Sequence, residues 1–278
     1  MKRFLVKVLI WILVLLPFFI GIEAYLNRYK GQMKYFIGKE VLTALSKSKQ
    51  SSGKKTLVLG DSVCKQLYPS DKDYDGLVSL ACNRAISLAG HYFLFKNYLD
   101  ANQDRLPERV ILILAPFSAQ NQLDRFAYHY MLKNFLTKRY KPDFDEALWQ
   151  QVRKIPHYWS APWPFIRVSN YAPDYDPAPD DGFALFSPIS QSYLPRIARL
   201  AEENHIAFTF ICAPTDVHQK EAVQQLFTAS RARHEIPDEY LDDYIRNARF
   251  CRDSISGDGL HFKRGCIPTD YYHLINPR

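Results

Sequence analysis

Hydrophobic and polar positions divide this 278-residue chain into unequal zones. Residues 8–22 carry no charge, and Lys2, Arg3 and Lys7 stand before them. Read from Phe4, with Lys7 extending to the headgroups, the apolar run is about 19 residues, enough to cross a bilayer. Pro17 within it is tolerated in a membrane helix. The basic residues on the N-terminal side keep that end in the cytoplasm and export the chain beyond the run. Ile22-Glu23-Ala24-Tyr25 is a poor small-x-small cleavage site, so residues 1–24 read as a cytoplasmic stub and an uncleaved signal anchor, with a cleaved signal peptide the alternative. Residues 25–55 are polar and basic. They predict a juxtamembrane helix and then a Ser/Lys/Gly linker over 46–55.

From residue 56 onward, short apolar runs alternate with stretches of helical period. Strands are predicted at 56–59, 77–82, 109–115 and 207–212, and helices at 83–100, 187–204, about 217–232 and 238–250. Arg109-Val110-Ile111-Leu112-Ile113-Leu114-Ala115 is apolar on both faces after its first residue, as in a central parallel strand covered on both sides. Helices between strands make residues 56–278 an α/β sandwich on a parallel sheet of about five strands with right-handed crossovers. Residues 124–182 break this rhythm. They read as an insertion rich in aromatics and prolines, including Tyr128-His129-Tyr130, Trp149, His157-Tyr158-Trp159, Trp163-Pro164-Phe165 and Tyr171. Such a segment serves as a glycan or substrate lid, as packing, or as a contact with a membrane or partner. The Asp/Pro run at 174–181 reads as a surface loop.

The net charge of +7 fits a domain near anionic lipid or an anionic envelope polymer, or a basic solvated surface. No nucleic-acid-binding motif is present. The five cysteines, Cys64, Cys82, Cys212, Cys251 and Cys266, form no CxxC and no zinc-type Cys/His spacing. No metal or other cofactor is expected. Cys82 and Cys212 read as small buried hydrophobes, Cys251 with Cys266 as a candidate disulfide, and Cys64 as packing under the first turn of a helix.

Reactive chemistry concentrates at two places far apart in the chain. Gly60-Asp61-Ser62 closes the first strand at the C-terminal edge of the sheet, where α/β proteins place ligands. A serine opening a helix there has an exposed hydroxyl and helix N–H groups beside it. It needs a base, and the base an orienter. Gly257-Asp258-Gly259-Leu260-His261 offers both: one short turn sets Asp258 against the His261 ring and leaves the other ring nitrogen for Ser62. His273 is a poorer base, with no acid three residues upstream. His129 and His157 read as structural. Thr215, Asp216 and His218 lie at the same edge and read first as helix capping. Asp61, His91 and Gln120 are candidate substrate contacts, and Ser87 lies near His91.

Together these motifs resemble the SGNH (GDSL-type) hydrolase superfamily, over about residues 54–275. The resemblance implies a flavodoxin-like three-layer fold and a Ser62–His261–Asp258 triad acting on esters. It also implies an oxyanion hole from the Ser62 N–H and a glycine after the second strand, here Gly90. The family's Gly-x-Asn-Asp pattern after the third strand is absent, and Asn121 or Gln120 is the substitute amide donor. The layout is similar to SGNH-like envelope proteins of alginate acetylation and teichoic-acid D-alanylation. The expectation is a bacterial inner-membrane-anchored esterase or O-acyltransferase facing an envelope glycan or its acyl donor, with a possible membrane acyl-transfer partner. The alternative is a non-catalytic SGNH-like domain that binds a glycan or partner.

Overall fold

The computed structural model describes residues 1–177, 182–251 and 261–263. The apolar N-terminus forms α1 (Lys2–Tyr29), a helix with no buried residue and Pro17 in its interior. With the turn after it, Lys2–Gln32 is long and apolar enough to span a membrane, and an 18-residue stretch within it has a mean hydropathy of 2.7. Then come α2 (Lys39–Lys47), β1 (Thr56–Gly60), α3 (Ser62–Leu67), β2 (Leu77–Ser79), α4 (Ser87–Ala101) and β3 (Arg109–Leu114). They are followed by α5 (Pro116–Ala119), α6 (Lys133–Phe135), α7 (Glu146–Lys154), α8 (Pro188–Glu203), β4 (Ala207–Cys212), β5 (Thr215–Asp216), α9 (Lys220–Ala232), α10 (Asp238–Arg246) and β6 (Phe250–Cys251).

β2, β1, β3 and β4 lie side by side in that order, all parallel. Among the described residues this main sheet has four strands where about five were expected; β5 pairs with β6 in a separate two-stranded ladder. Side-chain parity along the strands divides the core. Leu57, Leu59, Val110, Leu112, Leu114 and Phe210 face the larger apolar cluster, into which α4, α7 and α8 also pack. Val58, Ile111, Ile113 and Ile211 face a smaller one, closed by Val63, Cys64 and Leu67 of α3 and by Phe262. Fully burying each such side chain contributes about 1.5–3 kcal/mol, which holds β1 and β3 at the centre of the sheet.

One segment differs from expectation, and in another the structure favours one of the readings. The linker predicted over 46–55 is fixed to α4. The Asn102 Oδ1 accepts from the Ser52 and Gly53 N–H groups (2.8 and 3.3 Å), its Nδ2 donates to the Gln50 carbonyl (3.1 Å), and Ser52 Oγ meets Tyr98 OH at 2.6 Å. A Ser/Lys-rich sequence reads as flexible, but here one buried asparagine satisfies its backbone groups. In the insertion, Tyr128, Met131, Leu132, Phe135, Tyr140 and Leu148 are buried core residues, so its first half is packing; Trp159, Trp163, Phe165 and Tyr171 stay exposed.

Candidate active site

The turn between β1 and α3 is built by Asp61. Its carboxylate is fully buried and caps α3: Oδ1 accepts from the Val63 N–H (2.9 Å) and the Cys64 N–H (3.1 Å). Oδ2 accepts from the Ala115 N–H (2.7 Å), which ties the end of β1 to the end of β3. Asp61 therefore uses both oxygens to shape the turn and presents none of its surface to a substrate. It takes the second and third amide N–H groups of α3, and not the first, which belongs to Ser62. Gly60 is needed for the same turn. A Cβ there would lie 2.2 Å from the Ile113 carbonyl oxygen and 2.5 Å from Cys64 Cβ, closer than any real contact.

Cys64 is buried beneath this turn, with its thiol 3.7 Å from the Leu59 carbonyl oxygen. Burial, and then the nearby Asp61 and Cys82, push its pKa well above the usual thiol value. The thiol stays protonated and packs, as its place two residues after Ser62 suggested.

Ser62 opens α3, and His261 reaches it from the far end of the chain. His261 Nε2 stands 2.8 Å from Ser62 Oγ, across 199 residues of sequence. That distance suits proton transfer from hydroxyl to imidazole. Asp258 lies outside the described residues, as do His273 and Cys266.

Gln66 holds the histidine's strand of chain in place, a role that sequence reading missed. Its Oε1 accepts from the Phe262 N–H (2.9 Å) and its Nε2 donates to the Phe262 carbonyl (3.2 Å). Gln66 is one helical turn beyond Ser62 on α3, so one short helix carries both the serine and the clamp that sets His261 over it. Phe262 itself is buried in the smaller core cluster and anchors the same segment. The only signal in the sequence was that spacing of four residues, which says nothing until the distant partner is known.

The remaining candidates fall on the neighbouring loops. Asn121 is mostly buried and engaged: Nδ2 donates to the Arg84 carbonyl (2.6 Å) and Oδ1 accepts from the Leu123 and Asp124 N–H groups (both 3.3 Å). It organises the loop after α5, and one amide hydrogen remains. Gln120 donates from Nε2 to the Ala184 carbonyl (2.8 Å), fastening that loop to the segment before α8. Gly90 sits in the first turn of α4, where a Cβ would stand 2.6 Å from Ile86 Cβ, so the absence of a side chain permits close packing. His91 is buried, and among the described residues neither ring nitrogen has a hydrogen-bond partner. Burial alone lowers its pKa to about 3, so the ring is neutral. Ser87 begins α4 at φ 55° and ψ 179°, a region favouring glycine, and its buried hydroxyl has no hydrogen-bond partner among the described residues. Asp216 behaves as a cap, its Oδ1 accepting from the His218 N–H (2.8 Å), whereas Thr215 lies in β5 and its hydroxyl donates to the Ala213 carbonyl (3.3 Å).

No family model matches the chain, and a comparison with curated proteins gives no match.

Proposed function

We propose that the protein is a membrane-anchored serine esterase or O-acyltransferase of SGNH type, working on acyl groups of a cell-envelope glycan from the outer face of the bacterial inner membrane. One observation carries the reading: the 2.8 Å approach of His261 Nε2 to Ser62 Oγ, at the C-terminal edge of a parallel sheet. In this mechanism Ser62 Oγ attacks the acyl carbonyl while His261 Nε2 takes its proton. Asp258 holds the ring and offsets the charge it gains. The tetrahedral oxyanion is received by the Ser62 N–H, which the Asp61 cap leaves out, and by the Gly90 N–H, with the remaining Asn121 amide hydrogen as a third donor. Collapse expels the alcohol, which collects the proton from His261. Water or a glycan hydroxyl then repeats the sequence on the acyl-serine, giving hydrolysis or transfer. The strand order β2-β1-β3-β4 with Ser62 after β1 is compatible with a flavodoxin-like arrangement.

A second reading, a silent SGNH-like binding domain, draws support from Asn121, whose side chain is already committed to its own loop. One experiment separates the two. The full chain in detergent micelles is treated with a fluorophosphonate probe and with p-nitrophenyl acetate, beside Ser62→Ala and His261→Ala. The enzyme reading requires labelling and turnover that vanish in Ser62→Ala and fall by about 10³-fold or more in His261→Ala. Folded protein that neither labels nor turns over the ester sinks the enzyme reading and leaves the binding one.

A further inference from the structure

The exposed aromatic residues of the insertion meet α1, and the depth of that meeting is fixed by the sequence of the helix. Phe165 packs edge-on against Phe19, ring centroids 5.8 Å apart. Its N–H donates to Glu23 Oε2 (2.7 Å), and Arg167 pairs with Glu23 Oε1 at 3.0 Å. Glu23 is the first charge after the apolar run, and Phe19 lies four residues before it, about 6 Å at helical rise. The insertion thus grips α1 where its apolar run ends. A second clip lies nearby: Asn170 Oδ1 accepts from the Ile37 N–H (3.0 Å) and its Nδ2 donates to the Tyr35 carbonyl (2.7 Å).

Around these clips the side chains are aromatic and uncovered. Trp159 is 50% exposed, Trp163 52%, Phe165 38%, Tyr171 44% and Tyr35 77%. The Trp159 and Trp163 rings lie tilted against each other, centroids 4.7 Å apart. Facing water, two half-bared tryptophans on a loop would leave a large apolar area in solvent. Indole and phenol rings at the end of a membrane span have a better location: the headgroup–acyl boundary, where the ring bodies are buried and the N–H and O–H groups stay wet. The cations fit the same depth, since Arg28 and Lys34 flank the end of α1 near the phosphate layer.

We infer that residues 157–171, together with Tyr35 and Ile37, form an interfacial seat that lies in the lipid headgroup–acyl boundary of the outer leaflet and fixes the domain against the membrane surface. The occupant of the aromatic face is lipid. The anchor is then a rigid mount, with Glu23, Phe165 and Arg167 as its bolt, so the domain keeps one orientation to the bilayer.

The test uses the full chain in lipid vesicles of phosphatidylethanolamine and phosphatidylglycerol. Of the four tryptophans, Trp11 and Trp149 are replaced by Phe, leaving Trp159 and Trp163 as reporters. Lipids brominated near the top of the acyl chain should quench their emission by about half, lipids brominated near the methyl end much less, with emission blue-shifted from that of water-exposed indole. Arg167→Ala should weaken the quenching and Arg167→Lys should restore it. A parallel protein keeping Trp11 alone reports insertion of α1 through quenching by the deep bromines. Trp11 quenched but Trp159 and Trp163 unquenched and water-like would overturn the seat and return the aromatic face to a soluble ligand such as a glycan. Trp11 unquenched in vesicle-bound protein would remove the span and the seat with it. Far-UV circular dichroism confirms folding of each variant. Because none of these readouts uses Ser62, loss of the seat and loss of the esterase reading are separable.

Discussion

The substitution Asp61→Asn tests whether the turn under Ser62 is organised as described. At an ordinary solvent-facing helix cap, Asn replaces Asp at almost no cost, because one oxygen is enough. Here both oxygens are used. Oδ1 serves Val63 and Cys64, and Oδ2 serves the Ala115 N–H at 2.7 Å in a fully buried site. An Asn that keeps the cap must turn its NH2 toward the Ala115 N–H, donor against donor. One charge-assisted hydrogen bond is lost, worth about 1.5–3 kcal/mol, and a buried N–H is left unsatisfied at about 1–3 kcal/mol. Because these overlap, the expected loss is about 3 kcal/mol, and a domain of this size should melt about 6–12 °C lower. The tie from β1 to β3 loosens as well, and a displacement of Ser62 by about 1 Å should slow probe labelling about 10²-fold. Thermal unfolding by circular dichroism and the rate of fluorophosphonate labelling measure the two effects. An Asp61→Asn variant that melts within a degree or two of wild type would mean that Asp61 is an ordinary cap and that the β1–β3 tie contributes nothing.

Four further changes have defined outcomes. Gln66→Leu removes the clamp on Phe262 but keeps the volume; kcat for p-nitrophenyl acetate should fall about 10–100-fold with KM little changed, and an unchanged kcat would show that Phe262 packing alone sets His261. Ser87→Gly relieves a left-handed φ at a serine whose hydroxyl has no partner among the described residues, so the melting temperature should rise by about 2–4 °C, and a fall would mean the hydroxyl has a partner. His91→Leu bears on acid stability. The folded-state pKa of about 3 lies below the unfolded value, so the unfolded chain gains the proton first and stability is lost as pH falls from about 6.5 toward 3. Urea titrations should show wild type losing about 2 kcal/mol more than His91→Leu between pH 6.5 and 4.5, and parallel losses would refute the neutral buried ring. Glu235→Gln has the opposite cause. Burial opposes the carboxylate, but the N–H groups of Ala184, Phe186 and Leu185 hold its pKa below the ordinary value, so its contribution is present above the unfolded pKa and lost as pH falls through the folded one. The variant should be less stable at neutral pH and converge on wild type in acid; a constant gap at all pH values would count against the charged form as the cause.

Legibility in the sequence followed the range of the interactions involved. β3 and β4 are continuous apolar runs, and α8 keeps an apolar stripe behind a Ser187–Pro188 start, so local pattern located all three within a residue or two. The Ser62–His261 approach joins residues 199 apart, and became readable only because each end carried a recognisable short motif. Where a distant partner had no motif, nothing marked it. Asn102 fastening residues 50–53, Gln66 clasping Phe262 and Glu23 meeting Arg167 are single polar side chains whose meaning lies wholly in the fold. The same contrast explains Gly60 and Gly90. Both glycines were visible, but only the neighbours of an absent Cβ distinguish them. Gly60 faces a backbone carbonyl that cannot yield, whereas Gly90 faces the side chain of Ile86. Gly60→Ala must therefore move β1 from β3, while Gly90→Ala meets the Ile86 Cβ at 2.6 Å, a contact that only Ile86→Gly removes. In a double-mutant cycle Ile86→Gly should therefore offset part of the loss that Gly90→Ala causes, while Ile86→Ala, which keeps the Cβ, should leave most of it, a coupling absent for Gly60. Full labelling of Ser62 in the Gly90→Ala/Ile86→Gly protein would be compatible with a backbone N–H donor at Gly90, since the substitution leaves that N–H in place.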